Sequence, residues 1–118
     1  MKKSIKIEVG DAASTAKGFI DAWHRAEIGE GGKTEHLLMF ENLETLLKTL
    51  TPGRWVLLKK LHQAGPASIR SLAKWLGRDY KNVYQDVKRL EGIGLVERAG
   101  DKITVPWDIV EARLNLAA

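Results

Sequence analysis

The sequence predicts an α+β chain, and three observations carry that expectation. Residues 51–94 hold three short amphipathic segments at helical spacing, each with start and stop signals of its own. Residues 95–105 read as two short strands about a glycine turn. Residues 4–9 and 36–40 read as strands of an N-terminal strand-helix-strand extension, expected over residues 1–41.

Taken in order, Ser4-Ile5-Lys6-Ile7-Glu8-Val9 alternates polar and apolar residues, the pattern of a strand with one buried face, and Gly10-Asp11 ends it. Ala16, Phe19, Ile20, Trp23 and Ala26 recur at helical spacing and predict a helix over roughly 12–28. Gly29-Glu30-Gly31-Gly32-Lys33 is a joint. It lacks the Lys-Ser/Thr and the strand-to-helix setting of a phosphate loop. His36-Leu37-Leu38-Met39-Phe40 is apolar on both faces, so a strand buried on both sides or lying at an interface is expected. Asn42 can cap a helix striped with Leu43, Leu46, Leu47 and Leu50.

From residue 51 the signals sharpen. Thr51-Pro52 is a capping hydroxyl followed by proline in the first helical position, and Trp55, Leu58, Leu61 and His62 line the helix that Gly65-Pro66 stops. Ser68 caps a second helix with Ile69, Leu72, Ala73 and Leu76 inward, and Gly77 ends it in the left-handed conformation glycine accepts. Asp79 is placed to cap a third, with Val83, Val87 and Leu90 inward, closed by Gly92 and Gly94. Leu95–Arg98 and Lys102–Val105 flank Ala99-Gly100-Asp101 as a hairpin. After Pro106-Trp107, the positions of Ile109, Val110, Ala112 and Leu114 predict a last amphipathic helix.

Composition narrows the classes. A chain of 118 residues that is 44% hydrophobic can build a packed core, and with no cysteine it has neither disulfides nor thiolate metal sites. His24, His36 and His62 are too scattered for a paired ligand motif, so neither a metal nor a cofactor is expected. No nucleophile, base and orienting acid form a motif, so the chain is not expected to be an enzyme. No apolar run approaches a membrane span, and the alternating start does not fit a signal peptide; a cytoplasmic protein without membrane contact is expected. The net charge of +4 is uneven: residues 1–50 hold 7 Lys/Arg against 8 Asp/Glu, residues 51–118 hold 12 against 7. A basic second half suits a polyanion, although a merely solubilising surface would look similar.

Three short helices and a hairpin, in that order, make a winged helix-turn-helix, expected over residues 42–118. Its third helix must lie in a major groove about 12 Å wide, apolar inside and polar and cationic outside. Val83, Val87 and Leu90 meet the first demand; Tyr80, Lys81, Tyr84, Gln85, Lys88 and Arg89 meet the second. Lys81 can donate to guanine and Gln85 can pair with adenine. The tyrosines offer a hydroxyl to phosphate and a ring face to a thymine methyl, Lys88 and Arg89 suit backbone phosphates, and Asn82 is either a DNA contact or a helix cap. Ser68 and Arg70 open the second helix, where amides and a cation grip phosphate. Arg98 and Lys102 straddle the wing tip, and Arg78 in the turn completes the candidate DNA-binding set. A solvated helix face is the plain alternative for any such stripe.

The run Leu72-Ala73-Lys74-Trp75-Leu76-Gly77-Arg78-Asp79-Tyr80-Lys81-Asn82-Val83, with Asp86-Val87-Lys88-Arg89-Leu90 and Gly94-Leu95-Val96-Glu97, closely resembles a family of predicted prokaryotic transcriptional regulators with a MarR-like winged helix. The stretches Leu50–Arg54 and Val105–Asp108 resemble it too, with Trp107 where the family more often has tyrosine, and the likeness covers about residues 40–108. It implies sequence-specific binding to double-stranded DNA as a homodimer. Some members are antitoxin-like, which adds a protein toxin as an alternative partner for the N-terminal region. A repressor on a palindromic operator is the expected function. Residues 1–41 are expected to make the dimer or hold the partner, because a lone alternating strand cannot satisfy its own backbone. Trp23, Trp55 and Trp107 are expected as core or interface anchors, with an effector pocket as the alternative.

Overall fold

A computed structural model describes residues 2–10 and 36–117. The helix expected over 12–28, with Trp23 and His24, and the glycine joint at 29–33 lie outside them. The described elements are β1 (Ser4–Val9), β2 (His36–Phe40), α1 (Leu43–Thr49), α2 (Pro52–Ala64), α3 (Ile69–Leu76), α4 (Tyr80–Gly92), β3 (Glu97–Ala99), β4 (Lys102–Thr104) and β5 (Ile109–Arg113). Among the described residues no helix is long and apolar enough to cross a membrane. The chain divides into two compact units. One holds Thr49–Asp108 with the residues ahead of Ser4; the other holds β1, β2, α1 up to Lys48, and β5 onward.

The first unit is the winged helix-turn-helix. Thr51 caps α2, its hydroxyl accepting from Arg54 N at 3.3 Å, and Pro52 follows in the first turn. Ser68 caps α3, its Oγ accepting from Ser71 N at 3.1 Å. Gly77 ends α3 at φ 64°, ψ 33°, its N–H shared between the carbonyls of Ala73 and Lys74. Asp79 holds the N-cap position of α4, but its carboxylate makes no capping bond; its carbonyl accepts from Val83 N at 3.1 Å. The core is Leu57, Leu61, Leu72, Val83, Val87, Leu90, Leu95, Val96 and Ile103, each shut away from solvent. Trp55, expected to line α2, is only half-buried, and Leu57 takes the inner position.

The wing is a two-residue hairpin. Ala99 pairs with Lys102, and Gly100 between them sits at φ 64°, positive as a glycine at the first turn position of a II′ hairpin requires. Ala67, just ahead of α3, exchanges two backbone bonds with Ile103 (3.0 and 2.8 Å), tying β4 to the start of the second helix. Trp107 is buried, its indole N–H donating to Gly94 O at 2.9 Å, and Lys3 Nζ lies 5.3 Å from its ring centroid. It is an anchor within the unit.

Asp108 fastens the leading residues to this unit. Lys3 N donates to its Oδ2 at 3.0 Å, its own N–H donates to Lys3 O at 2.8 Å, and its Oδ1 lies 2.9 Å from His62 Nε2. The contact with His62, then the Lys3 amide, holds the Asp108 carboxyl below its ordinary value of 3.8. A carboxyl depressed on folding adds stability above its unfolded pKa and loses it as pH falls through the folded one. We therefore expect Asp108→Asn to lower the urea midpoint at pH 6, with the gap from wild type closing below the ordinary carboxylate range. A gap that persists at that acidity contradicts this role for Asp108.

The second unit is built on a parallel sheet ordered β2-β1-β5. Ile7 pairs with Leu38 on one side and Ala112 on the other, Lys6 with Leu37 and Glu111, and Glu8 with Met39 and Arg113. Residues in register share a face, so Ile5 and Ile7, both buried, lie with Leu38, Val110 and Ala112. Lys6, Glu8, Glu111 and Arg113 lie on the other face, opposite charges side by side. The strand β2, expected to be buried on both sides or to lie at an interface, stands at one edge of the sheet among the described residues, with Phe40 buried and Leu37 exposed.

Two expectations are corrected here. Residues 109–113 form a strand where a helix was expected. The segment is short enough to satisfy both periods: Val110, Ala112 and Leu114 also alternate with Glu111 and Arg113. The β-branched pair Ile109-Val110 and the free edge of β1 then decide for strand. In α1, Leu46 is buried but Leu47 is 58% exposed, so the leucine stripe is narrower than it reads. Asn42 does cap that helix, its Oδ1 accepting from Thr45 N at 2.8 Å.

Candidate nucleic-acid interface

The candidate interface draws on α3, the turn after it, α4 and the wing. Burying Val83, Val87 and Leu90 fixes which side of α4 faces out. Tyr80, Lys81, Asn82, Gln85, Lys88 and Arg89 are exposed, and Tyr84 is half-buried. At helical spacing the outer side resolves into two rows, Tyr80–Tyr84–Lys88 and Lys81–Gln85–Arg89.

The first row is internally connected. The rings of Tyr80 and Tyr84 stand 6.1 Å apart at 30°, Lys88 Nζ lies 5.6 Å from the Tyr84 centroid, and the Arg70 guanidinium lies 5.9 Å from that of Tyr80. Arg70, at the start of α3, thus reaches the first turn of α4. In the second row Lys81 and Gln85 are exposed, while Arg89 Nη2 lies 3.5 Å from the hydroxyl of Thr49. Lys102 is exposed at the wing.

Three more of the expected contact residues, besides Arg89, have internal work. Ser68 uses its hydroxyl within the helix start, accepting from Ser71 N and donating to Ser71 Oγ at 3.0 Å. Arg98 pairs with Glu91 across the base of the wing at 3.3 Å, with both side chains about one-third exposed. Arg78 donates from Nη2 to Asp86 Oδ2 at 2.8 Å, and its Nη1 is buried without a hydrogen-bond partner.

That last pair belongs to a cluster the motif reading did not single out. Arg54 of α2 donates from Nε to the other oxygen of Asp86 at 3.0 Å and from Nη1 to Thr49 O at 2.7 Å. One carboxylate on α4 therefore ties together α2 and the turn of the helix-turn-helix, and two guanidiniums against one acid leave local positive charge beneath α4. The signal available in the sequence is Asp86 itself. It is an acid in mid-helix, one position before the buried Val87, on a helix that also carries Lys81, Lys88 and Arg89 and, in its last turn, Glu91. An acid there is costly beside phosphate unless cations of the protein claim it.

Comparison with known proteins gives three results. A solved structure, the solution NMR structure of the homodimeric winged helix-turn-helix DNA-binding domain (fragment 1–100) of Mb0332 from Mycobacterium bovis, described as a possible ArsR-family transcriptional regulator, is 19% identical, with a TM-score of 0.43, over 64% of this chain and 75% of that one. No curated protein matches the chain. The model of one protein family, HVO_A0114, matches residues 49–112, a stretch that holds α2 to α4, the wing and most of β5. With more than half of its length matched in this way, the chain belongs to the HVO_A0114 family.

Proposed function

We propose that this chain is a sequence-specific DNA-binding transcriptional regulator, a MarR-like repressor that occupies a palindromic operator as a dimer. The observation that carries this reading is the outer side of α4. It presents Tyr80, Lys81, Gln85 and Lys88 over a fully buried Val83–Val87–Leu90 side. The unit behind it is basic, with 11 Lys/Arg against 6 Asp/Glu between residues 49 and 108. In this reading α4 enters the major groove, the start of α3 with Arg70 meets phosphate, and Lys102 and Arg98 meet the flanking groove. A twofold dimer sets two such helices about one DNA turn, roughly 34 Å, apart. We assign assembly to the strand-built unit, which holds the described strands of residues 1–41.

Selection of bound sequences from a random DNA pool tests the proposal. A palindromic consensus supports it, and failure to enrich any sequence removes it. Side-chain roles are tested separately. Lys81→Ala and Gln85→Ala should each cost about 1–3 kcal/mol on the preferred site and relax base choice there. Arg98→Ala should weaken all sequences evenly and mildly, because Glu91 already holds part of that charge. Altered base preference in Arg98→Ala, with none in Gln85→Ala, reverses the assignment.

A second reading, an antitoxin that holds a protein toxin and represses its own operon, draws support from the exposed Leu37 on β2 and Leu47 on α1. Co-purification with a protein encoded beside it separates the two readings.

A further inference from the structure

The sheet ends on one side at β5, whose outer backbone edge has no ladder partner among the described residues. Val110 is half-buried and the other residues of β5 are exposed. An uncovered edge of this kind templates a further strand. We propose that β5 pairs antiparallel with β5 of a second copy of this chain, about a twofold axis at Ala112. The two three-stranded sheets would then run on as one. This inference rests on the dimer reading above and names its seam.

The register follows from side-chain alternation. A twofold axis normal to the sheet keeps each face continuous, so a residue can oppose only one of its own face. Few centres remain. On Glu111 or Arg113, a charge opposes its own copy. On Val110, Glu111 opposes Ile109. On Ala112, the smallest of these side chains meets itself at the axis, Val110 opposes Leu114, and Glu111 opposes Arg113 on both sides of the axis. Both Ile109 and Leu114 are about half exposed in the single chain.

The charges inside each sheet extend this match. Lys6 stands beside Glu111, and Glu8 beside Arg113. Across the seam the row reads Lys6, Glu111, then Arg113 and Glu8 of the second copy: alternating sign over four strands. The charges that would keep an edge strand solitary against a foreign strand here complement a copy of themselves.

The absence of cysteine allows a direct test in the full-length chain. Opposed Cα atoms in an antiparallel pair lie about 4.5–5.5 Å apart, within disulfide reach. Ala112→Cys should therefore cross-link to itself on mild oxidation, whereas Glu111→Cys, opposite Arg113 and offset from its own copy, should not. Separately, Glu111→Arg and Arg113→Glu should each weaken the dimer at least about tenfold by opposing like charges. Mixed one to one, they should recover a heterodimer visible by native mass spectrometry. Light scattering of the wild type reads the dimer itself. A dimer in which the Ala112→Cys variant does not cross-link, or cross-links no better than Glu111→Cys, overturns the seam and leaves the dimer reading standing. So does a mixture that stays monomeric. A wild type that is monomeric at micromolar concentration overturns both.

Discussion

Binding to duplex DNA should fall on the order of 10³-fold or more between about 50 and 200 mM salt. Each phosphate neutralised by a cation releases condensed counterions, so the affinity scales with a power of the salt concentration close to the number of contacts. Arg70, Lys81, Lys88 and Lys102 have exposed positions on α3, α4 and the wing. Two copies of that set reach the roughly 6–10 contacts that such a slope needs. The structure refines which cations count. Arg78 is bonded to Asp86 and Arg98 to Glu91, so each adds less than a free charge. Lys88→Ala should lower the slope by about one per half-site, and Arg98→Ala by less. Titrations at several salt concentrations measure this, and a flat response would count against DNA as the partner.

Asp86→Ala should destabilise the fold by about 3 kcal/mol, since removing the acid from a part-buried ion pair leaves its cations uncompensated. Both carboxylate oxygens are engaged, by Arg54 at 3.0 Å and Arg78 at 2.8 Å, and Asp86 is only 15% exposed. The loss exceeds that of an ordinary surface pair because Arg54 is also held inside, its other nitrogen bonded to Thr49 O. Arg78 is about one-third exposed, and its share is smaller. Once Asp86 is gone, Arg78→Ala should cost little more, because the cycle has lost its common acid. Urea denaturation of the two single variants and the double variant gives the coupling. A loss under about 0.5 kcal/mol for Asp86→Ala, the range of a surface change, would reduce the cluster to a surface ornament.

The parts of the fold that were legible in the sequence are those set by near neighbours. The caps at Thr51 and Ser68 and the left-handed Gly77 depend on residues within a turn, and they formed as read. The inner side of α4 followed from spacing alone, since Val83, Val87 and Leu90 are all closed to solvent. Distant partners were not legible. Arg54 and Asp86 are 32 residues apart, and no local pattern marks their contact. The strand at 109–113 is decided by β1, at the other end of the sequence, and five residues carry too little periodicity to announce it. The candidate contact side chains were found by type and spacing. Their internal engagements at Ser68, Arg78 and Arg98 depend on the packed structure and could not be read beforehand.

The topology of the sheet also sets an order of assembly. Ser4 pairs with Ile109, so the central strand meets one of its neighbours only after more than a hundred further residues have been made. Thr49–Asp108 lies between them in the sequence and makes a compact unit of successive helices and a hairpin, a topology that forms quickly. On a ribosome that unit can fold while β1 still lacks β5, leaving Ile5 and Ile7 on an incomplete sheet. Among the described strand ladders, β1–β5 closes the longest stretch of sequence and should come late. It is the step at which a nascent chain is most exposed to pairing with the wrong strand.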